Sequence, residues 1–205
     1  MLHTIKWIFF DLGSTLIDEE QADLRRIREM TVGTDITAEE FRRKRLELIG
    51  QGLSGDYAVS YFGLTKAPWH SEEEKPYADA VPTLVALKRH GFLLGVIANQ
   101  NPGTVQRLAG WNMLSFFDVI AASAELGLAK PDPEIFRWAL REAHCPAECA
   151  VMVGDRLDND IAPAKRLGMH TVRLLRGLGA YHAPLSAYEI PEYSIQTLPE
   201  ILNLF

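Results

Sequence analysis

Apolar residues along this chain follow two rhythms. Short unbroken runs such as Ile5-Lys6-Trp7-Ile8-Phe9-Phe10 alternate with stretches in which apolar positions recur every three or four residues. The runs are too short for helices and predict buried strands over 5–10, 92–98, 119–122, 150–153 and 171–175. Between them, Val81, Leu84 and Val85 mark a helix that stops near Gly91, and Val105 with Leu108 marks another. Ile135, Phe136, Ala139, Leu140 and Ala143 predict a third helix, opened by Asp132 as N-cap with Pro133 at its first position. Ile161 and Leu167 predict a short helix ending at Gly168, and 198–205 a final one. Strands separated by helices mean βαβ units, hence an α/β fold with a parallel sheet.

Residues 17–76 break this alternation. Leu24 and Ile27 sit at helix spacing among Arg and Glu, and Thr37-Ala38-Glu39-Glu40 is a capping box followed by Phe41, Leu48 and Ile49 on one face. Tyr57, Tyr61 and Phe62 predict a third short helix, and the polar stretch 65–77, with Pro68 and Pro76, a linker. The expected organisation is a core from 1–16 and 77–205, with a small α-helical cap, 17–76, inserted into it.

Composition narrows the function classes. The 205 residues are 47 % hydrophobic and 23 % charged, the balance of an ordinary globular protein. Net charge is −6 and no basic stripe occurs, which argues against a nucleic-acid partner. No apolar run approaches the ~20 residues of a membrane span. The chain runs into its first strand without a charged-then-apolar leader, so the cytoplasm is the expected compartment. Cys145 and Cys149, the only cysteines, are expected as reduced thiols. No readable pattern specifies an oligomeric state.

In parallel sheets, ligands bind at the carboxyl ends of the strands. Three predicted strand ends carry polar clusters: Asp11-Leu12-Gly13-Ser14-Thr15, Ala98-Asn99-Gln100-Asn101, and Gly154-Asp155-Arg156-Leu157-Asp158-Asn159-Asp160. Parallel strands bring Asp11 and Asp155 towards one point. Like charges that close need a cation, and carboxylate oxygens suit Mg²⁺. Lys130, just before Pro131, is placed to offset the remaining charge and hold an anion.

With these clusters in order, the chain resembles the haloacid dehalogenase superfamily, in the branch whose cap follows the first motif. Phe9-Phe10-Asp11-Leu12-Gly13-Ser14-Thr15-Leu16 resembles the first motif, and Val96-Ile97-Ala98-Asn99 falls at the second. Leu126 to Pro133 resembles the third, and Val153 to Asp160, running on to Gly168 and Met169, the fourth. The resemblance covers nearly the whole chain. It implies a Rossmann-like core and a Mg²⁺-dependent hydrolase, a phosphatase of a small phosphorylated metabolite. It implies that Asp11 attacks phosphorus and that Lys130 stabilises the nucleophile and the transferring phosphoryl. It implies Mg²⁺ held by Asp11, the Gly13 carbonyl and Asp155, with Asp160 orienting the metal shell. Thr15, Ala98 and Asn99 fall at substrate-binding positions, Thr15 supporting the first loop.

Two positions depart from the pattern. Phosphatases of the superfamily carry a second Asp two residues after the nucleophile, as acid and base; here that residue is Gly13. The second motif usually ends in Ser or Thr; here it ends in Ala98. Loss of a general acid forfeits roughly 10²–10⁴-fold in rate. A slow phosphatase is therefore expected, and a carboxyl introduced at Gly13 is expected to raise its rate. Two alternatives stay open: a degenerate member binding Mg²⁺ or a phospho-ligand as a sensor, and a dehalogenase- or phosphonatase-type hydrolase. Asp158 reads as a cap or a solvated residue, and His70, His170 and His182 have no nameable partner. Trp69 reads as cap core. The clusters Arg25-Arg26-Arg28 and Arg42-Arg43-Lys44-Arg45 read as solvated helix faces.

Overall fold

The computed structural model describes residues 5–205. The first apolar run becomes β1, Trp7–Phe10, and β2, Ile17–Asp18, follows the loop after it. Three helices come next: α1, Glu20–Thr31; α2, Ala38–Gly50; and α3, Tyr57–Tyr61. Thr37 caps α2 by accepting a hydrogen bond from the Glu40 N–H at 3.1 Å. The chain returns through β3, Lys75–Pro76, which pairs antiparallel with β2. This two-stranded ribbon sets both chain crossings side by side, where the sequence showed only a polar linker.

The remaining elements alternate: α4, Ala80–Arg89; β4, Leu93–Ala98; α5, Thr104–Gly110; β5, Val119–Ala122; α6, Ser123–Leu126; and α7, Pro133–Glu142. The expected cap of α7 is present, with Asp132 accepting from the Glu134 N–H at 2.9 Å. Then follow β6, Ala150–Gly154; a π turn, Leu157–Ile161; α8, Ala162–Arg166; β7, His170–Leu174; and β8, Tyr193–Ile195. The sequence pattern missed β8, a three-residue edge strand too short to show a period. The expected final helix is a 3₁₀ turn, Leu198–Asn203, with Pro199 in its first turn.

The six strands form one parallel sheet in the order β5-β4-β1-β6-β7-β8. Both faces are covered. Ile8 and Phe10 enter one cluster with Leu84, Leu94, Val151 and Val172. Trp7 and Phe9, stacked at 5.4 Å, enter the opposite one with Ile135, Phe136 and Met152. Burial on both sides explains why these strands read as continuous apolar runs. The helices of 17–76 have a third cluster of their own: Ile27, Met30, Phe41, Leu48, Ala58 and Val59. Chain order runs outward from β1 to β4 and β5, then returns to β6 on the other side. The carboxyl ends of β1 and β6 therefore flank the switch point, where open α/β sheets place ligands. Among the described residues, no helix is long and apolar enough to cross a membrane.

Candidate active site

Adjacent registers fix the first two acids. Phe10 pairs with Val153, so Asp11, one residue beyond, lies beside Gly154-Asp155, and the Asp11 N–H donates to the Val153 carbonyl at 2.9 Å. The π turn after β6 carries Asp160 back towards the strand end. Its carboxylate packs against Gly154 so closely that a β-carbon there would overlap it. Asp11, Asp155 and Asp160 are buried, and each offers a carboxylate oxygen within 4.8 Å of the other two.

Lys130 neutralises part of this cluster. Its Nζ donates to Asp11 Oδ1 at 2.7 Å and to Asp160 Oδ1 at 2.5 Å, with the side chain 2 % exposed. Burial works against its charge, but Asp11 and Asp160 outweigh that and hold Lys130 above its ordinary range. Asn99 fixes the loop that delivers it: the Asn99 side chain donates to the Lys130 carbonyl at 2.8 Å and accepts from the Lys130 N–H at 2.7 Å. Asp160 also accepts from the Arg156 N–H at 3.0 Å. Burial lifts Asp160 to about 6, despite Lys130. Among the described residues, the Asp155 carboxylate receives no hydrogen bond. Burial first, then Asp160 and Asp11, pushes it well above the usual carboxylate range. A buried, unpartnered carboxylate beside two others is the donor set of a hard divalent cation.

These groups open on a cavity of about 640 Å³ between the strand ends and the helices of 17–76. Asp11, Gly13, Asn99, Lys130, Asp155 and Asp160 line it from the core; Arg26, Arg42 and Trp69 line it from the helical side. Arg156, Tyr181 and His182 complete the rim. Arg173 holds that rim segment, donating to the Gly179 carbonyl at 2.6 Å and the His182 carbonyl at 2.8 Å. Ala98 and Thr15 are fully buried and do not line the cavity. Thr15 presents its carbonyl to Arg176 at 3.2 Å, and its hydroxyl has no partner among the described residues.

Several residues behave differently from their sequence reading. Arg45 is no solvated face: it is 7 % exposed and grips Asp23 through both terminal guanidinium nitrogens, at 2.7 and 2.5 Å. Trp69 lies at the cavity wall under Arg26, its Nε1 donating to Glu74 at 2.6 Å. His70 has partners in Glu29 and Glu72, each at 2.9 Å, and His170 has one in Glu192 at 2.7 Å. Asp158 is held by Arg156 at 3.0 and 2.5 Å. Cys145 and Cys149, by contrast, are free thiols as expected.

The residue the sequence reading missed altogether is Glu19. In the run Asp18-Glu19-Glu20 it looks like any acidic helix start. In the fold its carboxyl enters the cavity beside Gly13. Enclosure, then the negative charges of Asp11, Glu74 and Asp23, raise it to about 8.

The comparisons with known proteins agree with this architecture. The chain is 32 % identical to the glyceraldehyde 3-phosphate phosphatase of Methanopyrus kandleri, over 98 % of this chain and 97 % of that protein. It is 29 % identical to the pyrophosphatase PpaX of Bacillus velezensis, over 96 % and 94 %. Its structure superposes on a haloacid dehalogenase-type phosphatase of Thermococcus onnurineus with a TM-score of 0.67 and 26 % identity, covering 98 % and 97 % of the two chains. The sequence profile of one family spans residues 8–174, from β1 to the end of β7, and so takes in every acid at the sheet's switch point together with Lys130. On that match and on the full-length likeness to its relatives, this chain belongs to the haloacid dehalogenase-like hydrolases.

Proposed function

We propose that this hydrolase is a Mg²⁺-dependent phosphatase of a small phosphorylated metabolite, acting through an aspartyl-phosphate on Asp11, with residues 17–76 as the cap over its cavity. The observation that carries the reading is the state of Asp11. One oxygen is held by the buried Lys130 ammonium at 2.7 Å, while the residue faces the cavity beside an unpartnered Asp155. A carboxylate fixed at one oxygen and open at the other is oriented for attack on a phosphorus atom.

Asp11, Asp155 and the Gly13 carbonyl would hold Mg²⁺, with Asp160 steadying that set. Once bound, the ion would draw in the phosphoryl group and neutralise charge on its oxygens. The chain's own residues supply the rest. Asp11 forms a bond to phosphorus as the bond to the leaving oxygen breaks. Lys130 spreads its charge over Asp11 and the incoming oxygens, and Asn99 keeps Lys130 in place. Water then attacks phosphorus, which releases phosphate and restores the Asp11 carboxylate. The buried acidic pair at Asp11 and Asp155 favours phosphoryl transfer over dehalogenation, a reaction with no need of a metal.

The names of the relatives make triose phosphates the first substrates to try. The test is phosphate release from a panel led by glyceraldehyde 3-phosphate, with p-nitrophenyl phosphate as a general probe, with and without Mg²⁺. Turnover that needs Mg²⁺ and vanishes in Asp11→Asn is expected. Turnover that survives Asp11→Asn rules out Asp11 as the nucleophile.

A further inference from the structure

We propose that Glu19 is the general acid and base of this site, reaching from the start of α1 into the space that Gly13 leaves open. The inference rests on the phosphatase reading above and deepens it.

Three observations place the carboxyl. A β-carbon built on Gly13 would lie 2.5 Å from both Glu19 carboxylate oxygens and 2.7 Å from Cδ. The Glu19 carboxyl therefore fills the volume that any side chain at position 13, two residues past Asp11, would occupy. Gly13 and Ile17 form an isolated bridge, so the loop after Asp11 doubles back and delivers Asp18 and Glu19 over its own start. Asp18 pins this approach: it pairs with Lys75 in the ribbon, and its carboxylate accepts from the Glu20 N–H at 3.0 Å.

Elimination supports the role. Cleaving an alkyl phosphate calls for a proton donor at the leaving oxygen. Among the carboxylates lining the cavity, Asp23 is gripped by Arg45, Asp56 is paired with Lys66 at 2.6 Å and Asp160 is paired with Lys130. Asp18 is spent on its capping bond, and Glu20 is exposed. Asp11 and Asp155 belong to the nucleophile and the cation. Among the described residues, the Glu19 carboxyl makes no hydrogen bond, so its oxygens are free for substrate and water.

In the first half-reaction, protonated Glu19 gives its proton to the leaving alkoxide as the phosphorus–oxygen bond breaks and the bond to Asp11 forms. In the second, the Glu19 carboxylate takes a proton from water as that water attacks phosphorus and the Asp11–phosphorus bond breaks. One water is consumed, and Glu19 ends protonated, as it began. Gly13 is thus not a defect in the site: its bare backbone is what lets the carboxyl of Glu19 come in.

The experiment is stopped-flow turnover of p-nitrophenyl phosphate by the Mg²⁺-loaded full chain, comparing wild type, Glu19→Gln and Asp11→Asn, with glycerol phosphate as the alkyl substrate. Nitrophenolate leaves without a proton. Glu19→Gln should therefore keep a burst of about one nitrophenolate per chain and then turn over ~10²–10⁴-fold more slowly, with a phosphoryl adduct visible by intact mass. Glycerol phosphate should show no burst in this variant. Glu19→Gln with wild-type kinetics on both substrates overturns the proposal, as does loss of the burst in a variant that keeps its melting temperature. Turnover surviving in Asp11→Asn would instead defeat the underlying phosphatase mechanism. Should Glu19→Gln fold poorly, the pair Gly13→Asp with Glu19→Ala puts the carboxyl back from the other side. Recovery of glycerol phosphate turnover over Glu19→Ala alone supports the assignment, and none refutes it.

Discussion

Replacing Lys130 with Met removes a buried cation and leaves its partners behind. The ammonium is hydrogen-bonded to Asp11 and Asp160, at 2.7 and 2.5 Å, with Asp155 close by. Methionine fills a similar volume, so the cost is chiefly electrostatic. Removing one member of a buried ion pair typically costs ~3–5 kcal/mol, because a desolvated charge is left uncompensated. For a chain of this length each kcal/mol moves the melting temperature by ~2–4 °C, so the metal-free variant should melt ~6–20 °C lower at pH 7.5. The same reasoning fixes a pH dependence. Asp160 already lies at about 6 with Lys130 in place, and without the cation its carboxyl moves further up. At pH 5 it accepts a proton, the repulsion falls, and the gap between variant and wild type should narrow. Differential scanning calorimetry of both proteins in chelator-treated buffer at pH 5 and 7.5 measures the two gaps. A deficit below ~3 °C at pH 7.5, or one that is the same at both pH values, would refute the idea that Lys130 is there to balance buried carboxylates.

Further outcomes follow from the same cluster. Asp155→Asn should abolish Mg²⁺ binding by titration calorimetry and raise the melting temperature of the metal-free protein, because it removes a buried carboxylate that lacks a hydrogen-bond donor; unchanged Mg²⁺ affinity would exclude Asp155 as a ligand. The metal-free wild type should lose ~2–5 kcal/mol of stability between pH 5 and 8.5, seen in urea melts. Folded Glu19 keeps its proton up to about 8 while the unfolded chain gives it up near 4.5, so the native state binds more protons across that window and stability falls as pH rises. Glu19→Gln should flatten this slope, and an equally steep slope in the variant would assign it elsewhere. Gly13→Asp alone should lower turnover, because its β-carbon would stand 2.5 Å from the Glu19 carboxylate oxygens and push that flexible side chain aside; higher turnover would mean that the site does not depend on Glu19 where it stands.

How much of this was legible in the chain depends on the range of the contact involved. The strands of the buried sheet were plain because burial on both faces leaves unbroken apolar runs, as in Trp7–Phe10 and Leu93–Ala98. Asp11 and Asp155 could be paired because they follow such strands directly, and in a parallel sheet a strand end is already a coordinate. Charge balance made Lys130 a candidate to offset the acids, but only resemblance put it at Asp11, since no local pattern marks a lysine that crosses 119 residues to reach that carboxylate. Arg45 was misread because helix periodicity tells which residues share a face, but not whether a carboxylate such as Asp23 waits on the neighbouring helix. Glu19 was invisible for a related reason. An acid at a helix start is ordinary, and so is a glycine in a loop after a strand. Their relation exists only because the chain doubles back through β2 and sets one against the empty Cα of the other. The absent carboxyl at Gly13, taken from the sequence alone, pointed to a slow phosphatase. On the role proposed for Glu19, whose carboxyl fills that space, the same glycine becomes a requirement of the site. An acid delivered from the first residue before α1 also hangs on the β2–β3 ribbon at the two ends of residues 17–76. Any motion of residues 17–76 would then carry the proton donor with it, coupling closure over the substrate to readiness for cleavage.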